Sequence, residues 1–207
     1  MGNKVVWKSA AHEKVGVVAR RGGRPAIVEY TELSTELAEA TGPDGKLLYG
    51  AGNICNHYFT VAFLKQVAKA YKETPEVMPY HEAHKKVPFA DPASGATVVP
   101  DSPNGTKLEA FIFDSFPLAA QSALLEVSRT AEFSPVKNPP GSATDSPDTA
   151  RAMIMAEHAA WVAAAGGSVA GTPASVEISP LLSYSGEGLN SAVEGKCFEG
   201  EQLIEPS

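Results

Sequence analysis

The run "EKVGVVARRGGRPAIVEYTEL", residues 13–33, places two β-prone stretches on either side of Gly22-Gly23. A diglycine supplies the positive φ that a tight hairpin turn needs, so the two stretches predict an antiparallel strand pair. In "PAIVEY" the side chains alternate, which puts Glu29 on the face of Ile27. A carboxylate there belongs at a sheet edge or points into a pocket. The hairpin commits the chain to a sheet that is not purely parallel, and the rest of the sequence adds helices to it. "KLLYGAGNI" predicts a further strand, after which Phe63, Leu64, Val67 and Tyr71 fall on one helical face. Residues 80–105 are a polar excursion too rich in Pro and Gly to be regular throughout. "KLEAFIFDSF" predicts a strand in which Phe111 and Phe113 share a face, and residues 119–127 predict a helix leading to another strand. A second helix opens with Ser146 as cap and Pro147 in its first turn, runs to about Ala165, and stops at Gly166-Gly167. The last forty residues read as short strands and turns. The fold class expected is α/β, built on a mixed sheet.

Charge narrows the function classes. The net charge of −7 argues against a general binder of nucleic acid or anionic membrane, because both need a surplus of Lys and Arg. No apolar stretch approaches the ~20 residues of a membrane span, and "MGNKVVWKSAAHEK" has no apolar signal core. Two cysteines, Cys55 and Cys197, make no disulfide framework and fit a reducing compartment. A cytoplasmic location is expected, with no nucleic-acid and no membrane partner.

Motif chemistry is sparse. Walker loop, dinucleotide glycine motif, CxxC pair and HExxH are all missing from the sequence. His81 and His84 stand three apart without a third ligand at a usual spacing, and Lys85-Lys86 reads as a solvated pair. Ser183 in "LSYSGEG" does not fit a nucleophile elbow. Lys137 sits in the stiff loop "SPVKNPPG", either as a plain surface lysine or as a cation held in place. Phe111 and Phe113 suit a core pair or a ligand wall. "AGNICNH" is the most pointed segment. Ala51 and Gly52 let a ligand approach the backbone, and Asn53 can both donate and accept hydrogen bonds, which suits a neutral polyhydroxylated ligand such as a sugar. The alternative is a set of turn-forming asparagines at a helix N-cap.

Taken in order, "AIVEYTEL", "GKLLYGAGNICNHYFTVAFL", "YHEAHKKVPF", "PNGTKLEAFIFDSF", "LEVSRTAEFSPVKN", "DSPDTAR" and "EISPLLSYSGEGL" resemble the eukaryotic UDP-N-acetylhexosamine pyrophosphorylases, within the wider UDP-sugar pyrophosphorylase family. "AGNICNHYF" looks like the amino-sugar branch rather than the UDP-glucose branch. The resemblance implies a Rossmann-like nucleotidyltransferase domain and the reaction of UTP with N-acetylglucosamine 1-phosphate to give UDP-N-acetylglucosamine and pyrophosphate, with Mg²⁺ as cofactor. It also implies residue roles. Gly16, Glu29 and Asn53 would hold the sugar and its N-acetyl group, Phe111 and Phe113 would wall the pocket, and Lys137 would reach the phosphates. Asn56 and His57 would do no more than shape the turn and the helix start. The glycine-rich nucleotide loop and the metal-binding aspartate of the family have no counterpart in this sequence. The expectation is therefore a C-terminal half, with residues 1–165 completing a catalytic domain and 166–207 forming a small β-rich segment. Such a chain would be weak or inactive alone, and would pair with a complementary N-terminal half or with itself. The alternative function is a non-catalytic module that binds the amino-sugar nucleotide.

Overall fold

The structure, a computed structural model, describes residues 1–171 and 175–206. Contacts divide the chain into Met1–Glu126 and Val127–Ser207. The boundary expected after residue 165 falls inside the second of these units.

The first unit opens with β1 (Gly2–Trp7), followed by β2 (Val17–Arg21) and β3 (Arg24–Val28). Gly22 and Gly23 both have positive φ, and β2 and β3 pair antiparallel across them, as the diglycine predicts. A short helix α1 (Thr35–Glu39), capped by Ser34, leads through the turn at Gly45 to β4 (Ala51–Tyr58). The sheet order is β3-β2-β4-β1, with β9 (Ala123–Glu126) at the end beside β1. β4 runs antiparallel to β1 and β9 runs parallel to it, so the sheet is mixed. Between β4 and β9 lie α2 (Val61–Glu73), β5 (His81–Lys85), β6 (Phe89–Ala90), β7 (Thr97–Val98) and β8 (Gly105–Glu109). The polar excursion is thus a nested ribbon, with β6 and β7 paired inside β5 and β8.

Four local expectations are corrected. Helix α2 begins at a Thr60 cap whose hydroxyl accepts from the Phe63 N–H, so the asparagines before it are not a helix cap. Asn56 and His57 lie within β4. On α2 only Phe63 and Val67 are buried, while Leu64 and Tyr71 stay exposed. The strand through "KLEAFIFDSF" ends at Glu109, and Ile112–Leu118 winds into a 3₁₀-helix that Ser115 supports by donating to the Ile112 carbonyl at 2.7 Å. Pro117 lies inside that turn with no N–H to donate, and the turn closes with the Ala119 N–H on the Phe116 carbonyl at 2.9 Å. The helix expected over 119–127 is therefore replaced by a strand, because "ALLE" pairs with the edge of β1.

The second unit is organised around a single helix. After α3 (Arg129–Glu132), α4 (Pro147–Ala164) starts and stops where its signals place it, with Ser146 at the cap and Gly166 at positive φ beyond its end. Its buried Val162 packs in one core with Val176, Ile178, Leu189 and Val193. Val176 and Ile178 come from β11 (Val176–Ile178), Val193 from α5 (Asn190–Val193) and Leu189 from the residue just before it, and the unit also holds β10 (Ser168–Val169), β12 (Cys197–Phe198) and β13 (Gln202–Ile204). β10 pairs with β12, and β11 with β13, both parallel. His158 ties α4 to β11, since its Nδ1 accepts the Ile178 N–H at 3.0 Å and burial pushes its pKa down. Among the described residues no helix is long and apolar enough to cross a membrane.

Candidate functional site

In the first unit the site grows from an irregularity in β4. Val5 of β1 pairs with Asn53 and Lys4 pairs with Asn56, so Ile54 and Cys55 are bulged out of register. Cys55 absorbs the bulge in the left-handed region, at φ 59°. Its N–H then turns back onto the Asn53 side chain, whose Oδ1 accepts it at 3.1 Å. Asn53 is buried, and its own backbone N–H donates to the Gly16 carbonyl at 2.8 Å, which ties β4 to the residue just before β2.

Gly16 lies close against two side chains. A Cβ there would lie 2.7 Å from Glu29 Oε1 and 2.9 Å from Ile27 Cγ2, so any side chain would displace the Glu29 carboxylate. Glu29 follows the last residue of β3, half-buried, on the side of Ile27 that the alternation predicts. Ile27 in turn packs with Phe113 and Phe116, with Phe111 against them. The Phe111 and Phe113 rings stack at 4.8 Å between centroids, 16° from parallel. Gly16, Glu29, Asn53, Phe111 and Phe113 thus belong to one continuous set of contacts, although they come from four separate segments. Phe113 also lines a depression of about 350 Å³ with Ile27, Arg24 and Asp114.

The cluster also takes in Asn3, which the sequence did not single out, and His57, expected only to shape the turn. Asn3 is 2% exposed, and its Nδ2 donates to Asn53 Oδ1 at 3.2 Å. His57 Nδ1 lies 2.6 Å from Asn3 Oδ1, so its part goes beyond shaping a turn. The signal for Asn3 was present: in "GNKVVW" it shares a strand face with Val5, which makes it a polar residue at an inward position. His81 and His84 do not make a metal pair. They sit three apart on a strand and therefore point to opposite faces, His81 to Asp114 at 2.9 Å and His84 to Thr106 at 3.2 Å.

Lys137 belongs to the second unit, where it is exposed. The backbone N–H groups of Lys137 and Asn138 both donate to the Asp145 carbonyl, at 2.7 and 2.8 Å. Asp145 itself is left-handed, at φ 50°. The Asn138 amide donates to the Thr144 carbonyl, and the Gly141 N–H donates to Asp148 on the first turn of α4. Ser146 and Thr149 form a reciprocal capping box at the same point. The loop carrying Lys137 is thus pinned to a helix start rather than left free. Among the described residues there is no group of three or more His, Cys, Asp or Glu side chains that could hold a metal ion.

No family model matches the chain. Individual relatives do. It is 43% identical over 221 aligned positions to human UDP-N-acetylhexosamine pyrophosphorylase-like protein 1, covering 99% of this chain and 43% of that protein. It is 43% identical to the UDP-N-acetylglucosamine pyrophosphorylase of Saccharomyces cerevisiae, covering 99% of this chain and 42% of the relative. For UDP-N-acetylglucosamine diphosphorylase 2 of Arabidopsis thaliana the identity is 46%, over 94% of this chain and 38% of the relative. Among solved structures, a protein of Entamoeba histolytica described as a UDP-N-acetylglucosamine pyrophosphorylase superposes with a TM-score of 0.80 at 33% identity, over 99% of this chain and 49% of that one. The Trypanosoma brucei uridine diphosphate N-acetylglucosamine pyrophosphorylase, solved with an inhibitor, superposes with a TM-score of 0.70 at 29% identity. The chain spans less than half the length of the relatives it matches.

Proposed function

We infer that this chain, a relative of the UDP-N-acetylhexosamine and UDP-N-acetylglucosamine pyrophosphorylases over almost all of its length, is the sugar-binding portion of a uridylyltransferase. The whole protein would form UDP-N-acetylglucosamine and pyrophosphate from UTP and N-acetylglucosamine 1-phosphate. What carries the reading is the convergence of Gly16, Glu29, Asn53, Phe111 and Phe113 from separate segments into one cluster.

The chemistry assigned to each residue follows from its setting. The Asn53 amide hydrogen-bonds the sugar, the Glu29 carboxylate accepts from a sugar hydroxyl, and the stacked rings cover an apolar face of the sugar or its acetyl methyl. Gly16 keeps the approach open. The reaction is an in-line displacement in which an oxygen of the sugar phosphate attacks the α-phosphorus of UTP and pyrophosphate leaves. That oxygen is already anionic, so the chain need supply no general base and no nucleophile of its own. Its contribution is position and positive charge, and Lys137 on its pinned loop supplies the charge. Mg²⁺, where bound, would offset charge on the phosphates.

Calorimetric titration of the chain with UDP-N-acetylglucosamine tests the sugar side. Binding is expected, and Asn53→Ala should weaken it by about 1–3 kcal/mol, the scale for leaving a buried polar ligand group unpaired. An unchanged affinity would remove Asn53 from the site. For Lys137→Ala, pyrophosphate release by the chain combined with the remaining portion of a relative should fall in kcat more than KM rises. Equal turnover would return Lys137 to the status of a surface lysine.

A further inference from the structure

The Asn53 side chain has a fixed polarity, and one unambiguous donor fixes it. A backbone N–H can only donate, so the atom of Asn53 that meets the Cys55 N–H at 3.1 Å is the carbonyl oxygen. The same oxygen is 3.2 Å from Asn3, whose facing atom must therefore be its NH₂. The Asn3 oxygen then faces His57 Nδ1 at 2.6 Å and must receive a proton from it, which sets His57 as the Nδ1–H tautomer. The chain of donors runs from His57 to Asn3 to Asn53, with Cys55 closing it from the other side. Nothing in it can be reversed singly without setting two oxygens or two N–H groups against each other.

Burial makes that reversal costly. Asn3 is 2% exposed and Asn53 is 5% exposed, so an amide misoriented there faces a like group with no water to relieve it. His57 Nε2 is buried without a hydrogen-bond partner, beside the Phe59 and Phe116 rings at 5.7 and 5.2 Å between centroids. A proton on that nitrogen would bring charge against apolar rings, and burial does push the His57 pKa down. The Asn53 NH₂ is the one group in the chain left with only a weak acceptor, the Cys55 sulfur at 3.5 Å.

We propose that Asn3 and His57 are positioning residues that lock the Asn53 amide with its NH₂ available, so that the ligand group meeting Asn53 is a hydrogen-bond acceptor, a carbonyl or hydroxyl oxygen of the sugar. This rests on the reading of Asn53 as a sugar-binding residue. It adds that the polarity the Cys55 N–H gives Asn53 is held in place by Asn3 in β1 and, through Asn3, by His57 near the end of β4.

Ring ¹⁵N–¹H correlation spectra of the ¹⁵N-histidine-labelled chain test the lock without any variant. His57 is expected as the Nδ1–H tautomer, opposite to the Nε2–H form that imidazole prefers in water, and an Nε2–H signal overturns the proposal. Asn3→Ala should return His57 toward Nε2–H and weaken UDP-N-acetylglucosamine binding about tenfold. Asn3→Asp separates the two halves of the argument. Its carboxylate still accepts from His57 but cannot donate to Asn53, so the Nδ1–H tautomer should persist while affinity falls at least as far as in Asn3→Ala. If Asn53→Ala weakens binding and both Asn3 variants bind like the native chain, the positioning role is overturned and the sugar reading stands. If the native chain does not bind, or Asn53→Ala costs nothing, the sugar reading itself fails and the proposal falls with it.

Discussion

Each unit of the chain has one non-glycine residue at positive φ among its described residues, Cys55 in the first and Asp145 in the second. Each stands close to a residue proposed for function. Cys55 turns its N–H onto Asn53, and Asp145 offers its carbonyl to the N–H groups of Lys137 and Asn138. The surroundings differ. Around Cys55, buried side chains satisfy one another, Asn3 with Asn53 and His57 with Asn3, and one NH₂ is left over. Around Asp145, loop and helix backbone do most of the work, with a capping box and an aspartate closing the remaining donors. A network of buried side chains suits selection of a ligand by donor and acceptor pattern, because reversing any member is expensive. A backbone-pinned exposed loop suits delivery of a charge, whose effect depends on placement more than on orientation.

The sharpest break between the units is expected from the core of the second. Leu189 is fully buried against Val162, Val176, Ile178 and Val193, in a cluster without a charged member. Leu189→Ala should cost about 2–5 kcal/mol of stability, measured by denaturant unfolding followed through Trp161, which packs against the same cluster. A loss well under 1 kcal/mol would mean that this core collapses around the gap, and that the unit is looser than its packing shows.

A smaller effect separates the cap from the core. Ser146 accepts the Thr149 N–H at 3.2 Å, and its own N–H donates to the Thr149 hydroxyl at 2.9 Å. Ser146→Ala should cost about 1 kcal/mol by the same unfolding measurement. Because Asp145 precedes the cap directly, the variant should also loosen the Lys137 loop, read as faster amide exchange at Lys137 and Asn138. Unchanged exchange would show that Asp145 holds the loop without help from the helix start.

Much of this was legible in the sequence wherever a single local signal decided the outcome. Gly22-Gly23 made the hairpin, and Ser146, Pro147 and Gly166-Gly167 bounded α4, because turn and cap chemistry acts within a few residues. The signals failed where partners lay far away. Residues 123–126 are apolar enough for a helix and become a strand because β1, more than a hundred residues earlier, offers an edge. The phenylalanine run bends at Ile112 because Ser115 and Pro117 support a 3₁₀ turn there. At the site, Glu29, Asn53 and the phenylalanine pair stood out from alternation and side-chain chemistry, while Gly16 and the roles of all five were nameable only through resemblance to a family. Asn3 was visible as an inward polar residue without a purpose. That purpose needed the register of β1 on β4, and with it the bulge at Cys55.

The smallest change bears most directly on that bulge. A cysteine at φ 59° gives up roughly 1 kcal/mol that glycine would not, while glycine gives up about 0.5–1 kcal/mol through the freedom it gains when unfolded. Cys55→Gly should therefore leave stability unchanged or raise it by a few tenths of a kcal/mol. Asp145→Gly should gain less, because aspartate tolerates the left-handed region better than cysteine does. The glycine variant keeps the backbone N–H that sets the Asn53 oxygen, so sugar-nucleotide affinity and the His57 tautomer should both be native. A stability loss above about 1 kcal/mol would show that the Cys55 side chain contributes more than its strained backbone costs. The weak contact from the Asn53 NH₂ to its sulfur would then be the first suspect, and the donor left for a ligand would already be partly engaged.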